Sequence, residues 1–287
     1  MDGSARREIA VTHGIEYAVH DGVKLTGDFF RPKGAGLCPV IVAVHGGAFY
    51  KGNSKYFHDW GEWLALRGIA VFSINYRLVR GAENKYPAAI TDVRSAVQFV
   101  RAESADMQVD PDRIGMMGAS AGAYLTAMTA LAHDAAPFAG RYPSDKHAKV
   151  AAGIKVAIPI CGVYDMLTGW EHDQLTRPLD KTTEGFLGTT PMEDRQKYFE
   201  ASPISYSTLK HSADVSFLVS WGTEDDVVDW SEQSMPLVKA LKRANYFVRI
   251  VPVPAAPHFW IYGPVEEPHS PNEFFAPKLL RFLNERL

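Results

Sequence analysis

The sequence predicts an α/β fold: a mostly parallel central sheet with an antiparallel N-terminal edge, helices on both faces, and one insertion near residues 164–202. Short apolar runs at Val40–Val44, Ile69–Ile74, Ile154–Ile158 and Val215–Val219 read as strands buried on both faces. Helical patterns lie between them, as the crossovers of parallel strands require. The 287 residues, 46% of them hydrophobic, suffice for one large core, so residues 1–287 read as a single domain.

Each element follows in chain order. From Ile15 to Phe30 the pattern alternates around His20-Asp21-Gly22, a turn signal that predicts an antiparallel hairpin at one sheet edge. After the Val40 and Ile69 strands a helix opens at Pro87, with Ile90, Val93, Val97 and Val100 on one face and proline at a permitted first-turn position. A strand over Arg113–Met117 then gives way to a helix-like run. The stretch from Tyr164 to Ser202 is longer than most strand connections and carries Trp170, Phe186, Tyr198 and Phe199. It reads either as a partial lid or as a surface excursion with its own hydrophobic cluster. The last strand spans Phe247–Val253 and ends in a proline-rich loop. No internal repeat or low-complexity segment interrupts this order.

Composition narrows the function classes. A formal charge of -3 and a pI near 6.4 argue against a nucleic-acid or anionic-membrane surface and favour a small-molecule substrate. Met1–Glu8 lead into no apolar segment, and no stretch approaches the ~18 apolar residues of a membrane span, so the expectation is a soluble, cytoplasmic protein. Cys38 and Cys161 each sit in or beside an apolar run, which suits packing rather than a disulfide framework. The ten histidines show neither His-Glu-x-x-His nor a Cys/His cluster, and no dinucleotide fingerprint or phosphate loop is present. Neither a metal nor another cofactor is therefore implied. Oligomeric state is not legible, and a homo-oligomer is compatible with the sequence.

Two motifs carry chemistry. Gly118-Ala119-Ser120-Ala121-Gly122 lies where strand passes into helix, and small residues two before and two after the serine permit a tight turn that lifts its hydroxyl above the sheet. Alone, the pentapeptide is as readily a plain strand-to-helix turn. His45-Gly46-Gly47-Ala48-Phe49 directly follows the Val40–Val44 strand, where glycines let backbone N–H groups face an oxyanion.

Together with Asn75-Tyr76-Arg77-Leu78 and the Asp110–Ile114 turn, these motifs resemble the α/β-hydrolase esterases, in the flavour of hormone-sensitive-lipase-like and bacterial feruloyl-esterase-like carboxylesterases. The resemblance covers the chain from about Ile15 onward, without the large N-terminal cap of many hormone-sensitive-lipase relatives. It implies a triad in the chain order Ser, Asp or Glu, His. Ser120 is then the nucleophile. Gly222-Thr223-Glu224-Asp225-Asp226-Val227-Val228 is similar to the family's acid turn and places Asp225 on the acid position, with Asp226, Glu224 and Asp229 as alternatives. His258 stands where the family has its base, His269 is the alternative, and His45 is expected to shape the oxyanion loop.

The resemblance favours N–H groups of Gly47, Ala48 and Ala121 for the oxyanion hole, with Gly46 the alternative. Tyr50, Tyr76, Tyr124, Trp170 and Trp260 are candidate pocket aromatics. The implied activity is hydrolysis of small soluble short-acyl or aryl esters through an acyl-enzyme. An arylformamidase, amidase or lactonase would use the same triad, and a non-catalytic ligand-binding homologue would share the fold.

Overall fold

The computed structural model describes residues 8–34, 36–132, 135, 138, 140–208 and 214–287. Met1–Arg7, which bear on the expected absence of a leader, lie outside the described residues. The strands are β1 (Ile9–His20), β2 (Val23–Pro32), β3 (Cys38–Val44), β4 (Ala70–Ile74), β5 (Val109–Ala119), β6 (Val156–Ile160), β7 (Ser216–Gly222) and β8 (Phe247–Val253). The helices are α1 (His58–Ala65), α2 (Ala88–Ala102), α3 (Ser104–Met107), α4 (Ala121–Ala132), α5 (Met166–Thr176), α6 (Thr182–Leu187), α7 (Arg195–Glu200), α8 (Ser234–Arg243) and α9 (Pro271–Arg286).

The strands form one sheet in the order β1-β2-β4-β3-β5-β6-β7-β8. β1 pairs antiparallel with β2, and β2 with β4; the remaining neighbours are parallel. This is the α/β-hydrolase arrangement. The hairpin begins earlier than the alternation from Ile15 suggested, because β1 carries exposed residues that blur its period. β6 runs two residues later than its apolar run, since its ladder continues through Gly118↔Pro159 and Ala119↔Ile160.

The chain leaves β3 towards β4 on one side and returns to β5 on the other, so the carboxyl ends of β3 and β5 adjoin at the sheet's switch point, where ligands of open α/β sheets bind. The register Val44↔Gly118 sets the loop after β3 beside the turn after β5. On the other flank, Gly222↔Val253 brings the loops after β7 and β8 together. Every residue of β4, β6 and β7 is buried, as is every residue of α4, which marks a helix enclosed on all sides. No helix among the described residues is long and apolar enough to cross a membrane.

Candidate active site

Ser120 occupies the turn between β5 and α4 with φ +55°, a region non-glycine residues enter only when their surroundings hold them there. Here the Ser120 N–H donates to Ile160 O (2.8 Å), and Ser120 O accepts from the Tyr124 N–H (3.1 Å). The flanking glycines are required by space. A Cβ on Gly122 would lie 1.9 Å from Val44 O, and one on Gly118 would lie 2.2 Å from Gly122 O. With only hydrogens there, α4 abuts the end of β3 and the hydroxyl stands at the carboxyl edge of the sheet.

The loops after β7 and β8 supply the partners. The Ser120 hydroxyl lies 2.9 Å from His258 Nε2. His258 Nδ1 lies 2.8 Å and 3.0 Å from the two Asp225 oxygens, so Nδ1 carries the proton and donates it while Nε2 is left to accept from the serine. Asp225 Oδ1 also accepts the N–H groups of Val227 (3.0 Å) and Val228 (2.9 Å). Burial pushes the Asp225 carboxyl up, but the hydrogen bonds from His258, Val228 and Val227 outweigh it and hold the acid below its ordinary value. The two side chains are 1% and 0% exposed, which shields the couple from water.

None of the alternatives has a hydrogen bond to Ser120 or His258 among the described residues. Glu224 and Asp226 are exposed, Asp229 is engaged by Ser231, and His269 is exposed with its N–H on Glu273. Cys161 Sγ lies within 4.8 Å of ligand atoms of Asp225 and His258. Burial, followed by the Asp225 charge, raises its thiol far above the ordinary value, so it is a protonated neighbour of the couple and not a nucleophile.

After β3 the chain turns sharply. His45 is buried, its Nδ1–H donates to Gly46 O (2.7 Å), and burial lowers its pKa to about 4, which keeps the ring neutral. It stacks on Tyr76 at 4.3 Å, whose hydroxyl donates to His45 O (3.0 Å). The Gly46 N–H is taken by the Tyr262 hydroxyl (2.7 Å). Gly47 and Ala48 follow with φ +113° and +55°. Gly47 O accepts from the Tyr50 and Lys51 N–H groups, and a Cβ on Gly47 would lie 2.0 Å from Lys51 O. No acceptor among the described residues takes the N–H of Gly47 or Ala48, and Ala121, opening α4, has no intrahelical acceptor.

A narrow cavity of about 80 Å³ adjoins Ser120. Ala48, Phe49, Ala121, Tyr124, Val163 and Met166 give it apolar walls; His172, Asp173, Arg177, Thr183, Asp229 and Gln233 give it polar ones. The 164–202 insertion contributes to the cavity. It packs its own cluster, with Phe186 and Tyr198 buried, and through α5 and the start of α6 it walls the cavity. Phe186 stacks on Phe49 of the loop after β3 at 3.7 Å. Arg177 donates to Asp173 Oδ1 and Val227 O, which ties the insertion to the turn that cradles Asp225.

Of the five expected aromatics, Tyr124 lines the cavity and the other four do not. Tyr76 lies behind His45, and Trp260 is buried against Phe275 (5.2 Å). Trp170 donates to Glu184 (2.8 Å), and the Tyr50 hydroxyl packs against Gly185. Their large apolar faces are used to fasten loops, a role sequence proximity to a motif does not reveal. Phe49, Met166, Arg177 and Tyr262 were not anticipated; only Phe49, inside the His45–Phe49 motif, carried a signal.

Comparison with known proteins agrees with this frame. The chain is 32% identical over 250 residues to the esterase LipQ of Mycobacterium tuberculosis, covering 85% of this chain and 56% of LipQ. It is 28% identical over 267 residues to the uncharacterized peptidase YuxL of Bacillus subtilis, covering 87% of this chain and 36% of YuxL. The chain thus spans between about a third and just over half of these relatives. The native structure of esterase Est2 from Thermogutta terrifontis superposes with a TM-score of 0.75 at 22% identity, covering 98% of this chain and 92% of that one. The BD-FAE family model matches residues 28–241, and the chain belongs to that family of α/β-hydrolase esterases.

Proposed function

We propose that this protein is a serine carboxylesterase that cleaves small short-acyl or aryl esters through an acyl-enzyme. The observation that carries the reading is the continuous line from Asp225 through His258 to the Ser120 hydroxyl, with three unclaimed N–H groups beside it. His258 takes the Ser120 proton as Oγ attacks the ester carbonyl, and Asp225 holds the imidazole in the acting tautomer and stabilises the imidazolium. The N–H groups of Gly47, Ala48 and Ala121 receive the oxyanion. The proton then passes to the departing alcohol, and water, activated by His258, releases the acid.

Support for short acyl groups comes from the narrow, apolar part of the cavity, and from structures of Est2 with propionate and with butyrate bound. A second reading, amide cleavage, rests on the similarity to YuxL, which is named a peptidase. Hydrolysis of p-nitrophenyl esters from acetate to palmitate, with matched anilides and Ser120→Ala alongside, separates the two. A maximum at short chains, slow anilides and a silent variant are expected. Anilides cleaved as fast as the esters would move the assignment to an amidase, and turnover by Ser120→Ala would remove the mechanism.

A further inference from the structure

A second group of chemically capable side chains lies away from the cavity. His13 is on β1, Asp28 on β2 and His58 opens α1, and the ligand atoms they offer all lie within 4.8 Å of one another. None of the three lines the cavity beside Ser120. His13 Nδ1 is 3.2 Å from Asp28 Oδ1, and His58 Nε2 is 2.9 Å from Asp28 Oδ2. The Asp28 carboxylate thus stands between the two imidazoles, one on each oxygen, and gathers two nitrogen donors around a single negative charge.

The backbone is shaped to make the group. Between the pairs Thr12↔Phe29 and Ile15↔Gly27 the β1–β2 register shifts, so His13 and Gly14 together oppose Asp28. Such a β-bulge re-aims a side chain. Gly14, at φ +69°, turns its N–H onto Asp28 Oδ1 (3.0 Å), while the Ser54 hydroxyl donates to Oδ2 (2.6 Å). Ser54 is itself fixed, its N–H on Asn75 and its carbonyl accepting from Ser73. Each carboxylate oxygen therefore has one firm orienting donor and one remaining direction, which points at an imidazole. This is the outer hydrogen bonding that holds a ligating carboxylate in place. The Asp28 carboxyl is lowered to about 2; burial opposes this, and hydrogen bonds from Ser54, His58, Gly14 and His13 outweigh it. An ion has a path in, because the His13 side chain is 64% exposed.

We propose that His13, Asp28 and His58 bind one zinc-class divalent cation, which staples the β1–β2 hairpin to α1. Two imidazole nitrogens and one carboxylate oxygen, completed by water, are a donor set that borderline cations such as Zn²⁺ accept. Binding replaces the two imidazole N–H bonds to Asp28, so both rings present a lone pair to the ion. The site is invisible to motif reading because its ligands come from three separate elements.

Zinc titration by calorimetry, with the unfolding midpoint followed in parallel, tests the assignment on the full chain. Asp28 is left intact because its hydrogen bonds belong to the fold; His13→Ala and His58→Ala are the probes. One site per wild-type chain and a zinc-dependent rise in midpoint are expected, with affinity about a hundredfold or more weaker in either variant and ester hydrolysis by His13→Ala unchanged. No saturable binding to the wild type, or equal binding by wild type and both variants, would overturn the site and leave Asp28 as a hydrogen-bonding hub alone.

Discussion

Two histidine–aspartate couples in this molecule share one local chemistry and diverge in their third partner. In the first, His258 faces Asp225 with Nδ1 and a serine hydroxyl with Nε2. In the second, His20 faces Asp92 with Nδ1 (2.6 Å) and Asp145 with Nε2 (2.7 Å), under Tyr142 stacked at 3.7 Å, while Arg77 also grips Asp92. Burial lowers the His20 pKa, but the hydrogen bonds and charges of Asp92 and Asp145 outweigh it, and His20 keeps its second proton to higher pH than an ordinary imidazole. A ring bonded to carboxylates at both nitrogens is a structural cation. One that offers a lone pair to a hydroxyl is equipped as a base. An adjacent aspartate therefore does not make a histidine catalytic; the group on its other nitrogen decides.

The largest expected effects separate the couples by activity. Ser120→Ala or His258→Ala should lower kcat by about a millionfold, and Asp225→Asn, which permits the wrong tautomer, by about ten thousandfold. Single-turnover and steady-state hydrolysis of a p-nitrophenyl ester measure both. In contrast, His20→Ala should retain turnover per folded molecule and lose about 3 kcal/mol of stability in denaturant unfolding, because it leaves Asp145 without its cation. A collapse of turnover in folded His20→Ala would break the distinction.

The pH dependence sharpens it. Because folding raises the His20 pKa, its contribution is fully present below the unfolded value of about 6.5 and is lost as pH rises through the folded value. The stability gap between wild type and His20→Ala should thus be widest in mild acid and narrow in alkali, as urea midpoints across pH would show. A gap that widened with pH would reverse the assignment.

Smaller effects probe the scaffold around the active couple. Gly122→Ala drives a Cβ into Val44 O, and should cost about 1–3 kcal/mol together with activity as the elbow shifts. Tyr76→Phe removes one hydrogen bond to His45 O, worth about 1 kcal/mol, and should lower kcat less than tenfold with KM little changed. A larger rise in KM would instead give Tyr76 a place against substrate, contrary to its position behind His45.

What the sequence made legible depended on locality. Ser120 and the Gly47-Ala48 turn announce themselves because strand end, glycine spacing and helix start lie within a few residues. Asp225 and His258 are readable only through the family resemblance, which points to the loops after two late strands. The Gly46–Tyr262 hydrogen bond joins residues 216 apart in sequence, and the Arg177 link to Val227 O spans 50; no spacing rule encodes either. His20 read only as part of a turn because Asp92 and Asp145 reach it from distant elements. The expected aromatics show the same limit: Tyr76 and Trp260 neighbour the motifs in sequence, but in the fold they pack on His45 and Phe275 and do not line the cavity beside Ser120.

Covalent trapping of Ser120 tests the central claim most directly. After incubation with an organophosphorus ester, the digested protein should carry one phosphoryl group, on the peptide containing Ser120, with labelling absent in Ser120→Ala and strongly slowed in His258→Ala but not in folded His20→Ala. Labelling at another residue, or at an equal rate without His258, would contradict the assignment of nucleophile and base.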